Sequence, residues 1–381
     1  MMHSLFLLTV AIMFLATIGY PVLMFVRANL YARRIRRSPK FQPTVSIILP
    51  CYNEEKRIEE KLRNILELRY DHQKMEIVLI SDGSTDRTNE IIERFESPIP
   101  LNFIKLTERG GKPNALNTGV AAAKNEILVF SDTRQFFNKN ALRRLASNLN
   151  DPKVGGVSGT LIDYSKTEAS EIDKPVSKAK KMLRLVRNYE NMLKENESRV
   201  HSIVGVYGSL YAIRRTLYKP LPLAIILDDM LVPFQVILQG FRMVFEKGAV
   251  AYEKTKADPE VEVQRRNRIF VGIFQLFFKH PELLNPRRNP VLFQLIWHKY
   301  IRLFFPLLFV IIFFTNTFML HRMFYLIFFV LQCIFYFCCF ISLFNPKDKN
   351  VFYLFTKFNF AIIKGFFQFL RGKYSIKWQK H

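Results

Sequence analysis

Three short apolar runs, Val45 to Leu49, Ile77 to Ile80 and Ile127 to Phe130, limit the kind of fold open to this chain. Each is rich in Val and Ile, is bounded by Pro, Gly, Asn or Asp, and gives way to a polar loop, as strands buried on both faces of a parallel sheet do. Between them, Glu54 to Leu68 and Asp86 to Phe95 place apolar residues at helical spacing: Ile58, Leu62, Ile65 and Leu66, then Ile91, Ile92 and Phe95. Strand, loop and helix therefore repeat. That predicts an α/β domain whose ligands sit at the carboxyl ends of the strands. Those ends are Tyr52-Asn53-Glu54, Ser81-Asp82-Gly83-Ser84 and Ser131-Asp132-Thr133-Arg134, all carrying groups suited to a nucleotide, a sugar or a metal.

The loops can be read further. A carboxylate at Asp82 can accept hydrogen bonds from a base or ribose while Gly83 and Ser84 turn the chain and Asp86 caps the next helix; both acids serve equally as turn and cap residues. Arg109-Gly110-Gly111-Lys112 sets a Gly pair and a Lys at a helix start, where backbone amides and one ammonium can meet a diphosphate. Asn138 to Asn150 predicts a helix with Leu142, Leu145 and Leu149 inward, Val154 to Gly159 a strand, and Gly205 to Ala212 a short strand of small residues. Residues 163–200 are highly charged and read as an exposed helical insertion. Asp228-Asp229 precedes a helical apolar pattern that stops at Gly240, and two acids at a helix start are also plain N-terminal caps.

Taken in order, these motifs resemble the membrane-associated glycosyltransferases of family 2, from about Thr44 to Pro306. The resemblance implies a GT-A nucleotide-sugar fold. It implies donor contacts from Asp82, Lys112, Asn117, Arg134 and Arg268, a divalent metal (Mg²⁺ or Mn²⁺) on Asp132, Asp229 as catalytic base with Asp228 beside it, and Tyr207 and Gly208 on the acceptor side. Two departures matter. Family members commonly end the third strand with two acids one residue apart, whereas Asp132-Thr133-Arg134 keeps one carboxylate and adds a guanidinium that can face phosphate itself. In the basic segment Gln264 to Arg268, Arg265 takes the place of the family's Gln, Arg268 that of its Arg, and Ile269 that of its Trp. Loss of the indole removes a stacking platform for a sugar ring, which weighs against a processive polysaccharide synthase. The implied activity is inverting transfer from a nucleotide-diphosphate sugar, a UDP-sugar foremost, to a hydroxyl of a lipid-linked or cell-envelope glycan acceptor. A processive synthase and a non-catalytic membrane scaffold with a decayed donor site are the rivals.

Apolar residues are unevenly spread. Residues 4–26 and the tract from Tyr300 to Leu343 are nearly free of acids and long enough for spans of ~20 residues. The expected order is an uncleaved anchor at 1–27, a basic linker at 28–43, the GT-A domain at 44–265 and interfacial helices at 266–302. Two spans follow at 303–344, then an interfacial or re-entrant helix and a basic tail at 345–381. Arg27, Arg33, Arg34, Arg36, Arg37 and Lys40 follow the first apolar run, so the domain is expected on the cytoplasmic face of the cell (inner) membrane. Much of the net charge of +24 lies in clusters such as Arg33 to Arg37 and Arg371 to Lys380, which suit anionic headgroups. With apolar spans and no aromatic-basic RNA motif, membrane and not nucleic acid is the expected partner. The four cysteines contain no CxxC pair, so neither a zinc site nor a disulfide framework is indicated.

Overall fold

The computed structural model describes residues 1–163, 178–253, 259–344, 350–372 and 374. The three apolar runs form Val45–Cys51 (β1), Met75–Asp82 (β2) and Ile127–Ser131 (β4), every residue of which is buried. β1 lies between β2 and β4, parallel to both, and Leu101–Leu106 (β3) adds a parallel edge beside β2. Antiparallel Leu210–Arg214 (β7) extends the sheet from β4, and Val154–Asp163 (β6), Arg242–Glu253 (β8) and Gln135–Phe137 (β5) complete the order β3-β2-β1-β4-β7-β6-β8-β5. The switch from parallel to antiparallel neighbours falls between β4 and β7, directly beside the strand end that carries Asp132.

Helices cover both faces because each strand sends alternate residues to opposite sides. Val45, Ile47 and Leu49 pack with Ile58, Leu62 and Ile65 of Ile58–Leu66 (α2) and with Leu142 and Leu145 of Ala141–Asn148 (α5). Ile48, Leu128 and Phe130 face the other way, onto Leu116 of Lys112–Ala122 (α4) and Phe234 of Asp228–Leu238 (α7). A short helix, Thr88–Glu93 (α3), follows the second strand.

The structure corrects two readings of the middle of the chain. The strand expected over Gly205 to Ala212 is Leu210–Arg214, and Gly205 to Ser209 form a loop, because Val206 N–H donates to the Asp229 carbonyl (3.0 Å) instead of to a neighbouring strand. Lys178–Val200 (α6) is no exposed insertion: Leu193, Lys194, Asn196, Glu197, Ser198 and Val200 are buried. Its charges find partners inside, for Glu197 Oε1 accepts from Tyr20 Oη at 2.5 Å and lies 2.7 Å from His298 Nδ1. Residues 164–177 of the expected insertion lie outside the described residues.

Among the described residues three helices are long and apolar enough to cross a membrane: Met2–Leu30 (α1), Leu292–Thr317 (α9) and Met323–Phe344 (α10). Their outward side chains, Leu8, Phe314 and Phe337 among them, are more than half exposed, as lipid-facing residues are. The basic segment and the apolar run after it form one helix, Pro259–Lys279 (α8), which continues through the boundary expected at residue 265. Val351–Leu370 (α11) docks along α8: Phe366 lies 5.2 Å from Phe274, Phe369 stacks 5.5 Å from Phe278, and Asn267 Nδ2 donates to Gln368 Oε1 at 2.7 Å.

Candidate active site

A cavity of about 1330 Å³ opens at the carboxyl ends of β1 and β4, bounded by the start of α4, the Gly205–Ser209 loop, α7, α8 and α11. The start of α4 is set locally. Gly111 takes a positive φ of 86°, a conformation that costs other residues a steric clash, and α4 begins at the next residue. The two amides before Lys112 are held by Asp82, whose carboxylate accepts from Gly110 N–H at 2.7 Å and Gly111 N–H at 2.9 Å. Asp82 is fully buried and is not part of the cavity wall. In this structure the Asp82 carboxylate thus holds the loop that aims Lys112 and does not itself line the cavity, where a donor contact was expected.

Lys112 is where the distant motifs meet. Its Nζ lies 3.1 Å from Asp132 Oδ1 and 3.4 Å from Asp228 Oδ2. Burial alone would lower its pKa, but Asp132, Asp228 and Asp229 together outweigh burial and raise it, so the ammonium stays charged. Asp228 and Asp229 occupy the first turn of α7. The Asp229 carboxyl is raised to about 6, by burial first and by Asp228 second, with Lys112, Lys194 and Arg268 pulling the other way. Its Oδ1 is inaccessible and has no hydrogen-bond partner among the described residues. Gly208 leaves room beside this group: a Cβ there would stand 3.3 Å from Asp229 Cβ and 3.6 Å from Lys112 Nζ.

Tyr207, expected on the acceptor side, is fixed by α6. Tyr207 Oη donates to Asn191 Oδ1 at 2.7 Å, and Lys194 Nζ stands 3.5 Å from the centre of the Tyr207 ring. Burial and then Lys299 lower the Lys194 pKa to about 8, against the pull of Glu190, Asp229 and Glu197. Sequence reasoning missed Lys194. The available signal was spacing, since Glu190, Lys194 and Glu197 recur on one helical face within a run otherwise indistinguishable from a solvated one.

Other expected residues divide. Arg134 lines the cavity, its Nε donating to Glu54 Oε1 at 3.1 Å, and Glu54 is itself buried and held by Arg57 at 3.0 Å. Arg268 lines the cavity from α8 and has no ion pair among the described residues. Asn117, expected to contact the donor, does not line the cavity: Nδ2 donates to the Leu221 carbonyl at 2.9 Å, and Oδ1 accepts from Tyr218 Oη at 2.7 Å and Leu221 N–H at 2.8 Å. Every polar atom of that side chain serves the loop that precedes α7.

Among the described residues no three His, Cys, Asp or Glu groups converge as a metal cage. Asp132 nevertheless suits a diphosphate-bound ion. Its side chain is one-third exposed, with Lys112 on Oδ1. Mg²⁺ and Mn²⁺ at phosphates typically take one or two carboxylates and complete their shells with phosphate oxygens and water.

Residues 46–219 match the profile of the family described as glycosyl transferase family 2. Poly-β-1,6-N-acetyl-D-glucosamine synthase of Staphylococcus aureus is 34% identical over 155 residues, 37% of this chain and 37% of that protein. A protein of Bacillus subtilis named as a probable glycosyltransferase is 25% identical over 278 residues, 69% of this chain and 63% of that one. The matched segment thus spans little more than a third of the synthase's length. A solved structure of a mannosyltransferase from Pyrobaculum calidifontis, in complex with GDP-Man and Mn²⁺, aligns with a TM-score of 0.71 at 22% identity. The alignment covers 97% of this chain and 100% of that chain, which shows a shared fold.

Proposed function

From a chain that carries a family 2 glycosyltransferase domain on a GT-A fold, we propose an inverting, membrane-bound glycosyltransferase that moves a sugar from a nucleotide-diphosphate sugar to an acceptor hydroxyl. The observation that carries this reading is the convergence of Asp229, Lys112 and Asp132 in one cavity from α7, α4 and the end of β4. Asp229, ionised above a pKa of about 6, takes the proton from the acceptor hydroxyl. The oxygen bonds to the anomeric carbon from the face opposite the diphosphate as the bond from that carbon to the diphosphate oxygen breaks, so one displacement inverts the centre. Lys112, Arg134 and Arg268 face the negative charge that gathers on the leaving diphosphate. A divalent ion held by Asp132 would add Lewis-acid stabilisation to the same charge. Lys194 holds Tyr207 and keeps a positive charge near Asp229.

The donor is proposed to be a UDP-sugar. A relative with GDP-Man in its structure makes guanine the alternative that any donor panel includes. Extension of a polymer is a second reading, supported by likeness to a polysaccharide synthase over residues shared with the domain. The test is incubation of the purified chain in lipid nanodiscs with UDP- and GDP-sugars and a membrane lipid extract, followed by assignment of the product's anomeric configuration and length. Inverted configuration with release of nucleoside diphosphate is expected. Retained configuration, or no nucleotide release with any donor, would overturn the assignment.

A further inference from the structure

The chain that leaves β4 for β5 carries Asp132, Thr133, Arg134 and Gln135 along the cavity, and it is held by α2 and the loop before it. Glu54, in that loop, accepts from Arg134 Nε at 3.1 Å. In α2 itself, Lys61 Nζ donates to the Gln135 carbonyl at 2.6 Å. One turn later Asn64 donates to the Phe137 carbonyl at 3.0 Å and accepts from the Phe137 amide at 2.7 Å. Lys61 and Asn64 do not line the cavity, and α2 packs on the face of the sheet opposite α4. The turn is thus presented forward by contacts made behind it.

Lys61 is the costly member of this grip. Its side chain is 0% exposed, the Phe137 ring centre lies 3.7 Å from Nζ, and among the described residues no carboxylate pairs with it. Burial lowers its pKa to about 7, and the field of Asp132 pulls the other way. An ammonium so placed costs free energy that an apolar side chain of similar length would not, and Asn64 already ties β5 to α2. Packing therefore does not account for Lys61. What its charge and its hydrogen bond reach is the strand end: Lys112 approaches Asp132 from α4 on one face of the sheet, 3.1 Å away, and Lys61 supplies a second cation from the other face.

We propose that Lys61 is a positioning residue for the donor's diphosphate: it touches no ligand, but by holding the Gln135 carbonyl and standing behind Asp132 it fixes the turn that aims Asp132 and Arg134 into the cavity. The inference rests on the transferase reading above and adds to it a residue that lies outside the cavity wall.

The test compares the full chain with Lys61→Met in nanodiscs and needs no turnover. UDP, UMP, GDP and GMP are titrated by calorimetry in the presence of Mn²⁺, the melting temperature is recorded, and hydrogen exchange over residues 132–137 is followed by mass spectrometry. Lys61→Met should weaken binding of the nucleoside diphosphate about tenfold, the equivalent of roughly 1.4 kcal/mol, and that of the monophosphate no more than about threefold. Exchange over residues 132–137 should quicken while that of β1 and β2 stays the same. The melting temperature should hold to within about 4 °C, because relief of the buried charge offsets the carbonyl's lost donor. Mono- and diphosphate affinities that fall equally, together with a lower melting temperature, would make Lys61 a structural residue and overturn the proposal. Unchanged diphosphate affinity in the variant would overturn it too. Should Lys61→Met fail to fold, Lys61→Leu carries the same expectations. Absence of nucleotide binding by the unaltered chain would remove the transferase reading and this proposal with it, whereas intact binding that Lys61→Met leaves alone removes this proposal only.

Discussion

At the level of single residues, the proposed chemistry depends on one carboxylate, Asp229, whose burial and neighbour Asp228 disfavour its charge. Asp229→Asn is expected to lower turnover by about 10²- to 10⁴-fold, the usual worth of a positioned base, while donor affinity measured by calorimetry stays within a few-fold. In the unaltered chain kcat/KM should rise with pH through an apparent pKa near 6, because the ionised form accepts the proton. The sign for stability is opposite. With the folded carboxyl raised from 3.8 to about 6, the folded state binds more protons than the unfolded chain in that window, so stability falls as pH rises through it. Asp229→Asn should therefore not lower the melting temperature above pH 6. Asp82→Ala acts differently: freed of their acceptor, the Gly110 and Gly111 amides no longer fix the start of α4, so both donor affinity and melting temperature should drop. Lost donor affinity at an unchanged melting temperature would restore Asp82 to direct contact. Residue types thus exposed the site more readily than roles did. Asp82 and Asn117 carry the right groups at the right motif positions, yet backbone donors and acceptors that only the folded chain brings near them use those groups up.

At the level of elements, the parallel strands were legible because burial on both faces demands continuous apolar runs, as in β1, β2 and β4. β3 and β8 were not, since β3 is a half-exposed edge and β8 mixes Arg242, Glu246, Lys247 and Gly248 into its length. α6 misled for a related reason: its charges look solvated until Glu190, Glu197, His298 and Arg302 are seen paired across it, with Arg302 Nη1 3.0 Å from Glu190 Oε1. α6 thereby joins α1 and α9 to the loop that holds Tyr207. Glu197→Ala strips Tyr20 and His298 of their shared acceptor, and loss of one buried charged partner typically costs about 3 to 5 kcal/mol. A melting temperature within a degree or two of the unaltered chain would show that this junction does not support α6. The end of β4 carries a further expectation. With one carboxylate at Asp132 and Arg134 held by Glu54, EDTA should abolish transfer, and Mg²⁺ or Mn²⁺ should restore it. Arg134→Ala should then cost about 1.5 to 3 kcal/mol in kcat/KM, as for a hydrogen bond to a charged group. Full activity in metal-free buffer, with Arg134→Ala nearly as damaging as Asp229→Asn, would mean that the guanidinium has taken over the ion's role.

Across the whole molecule, the order of helices and the position of α11 together predict a topology. α11 lines the cavity and binds α8 through Asn267 and Gln368, so it is predicted to lie on the same side of the membrane as the domain. The chain between them contains α9 and α10, two helices of span length, and two crossings return a chain to the side it left. A third crossing by α11 would separate it from α8 and set Lys357 and Lys364 in hydrocarbon, where each charge costs about 2.5 to 3.5 kcal/mol or more. The basic clusters point the same way: Arg33 to Arg37 precede the domain and Arg371 follows α11, so both flanks are predicted to lie on the cytoplasmic face, which favours Lys and Arg. Single cysteines placed at residue 36 and at residue 374, in a chain whose own four cysteines are replaced, should both resist an impermeant maleimide in intact cells. A cysteine at His321, in the turn between α9 and α10, should label. Labelling at residue 374 together with residue 321 would detach α11 from the domain's side, whereas protection at all three positions would mean that α9 and α10 do not cross as a pair.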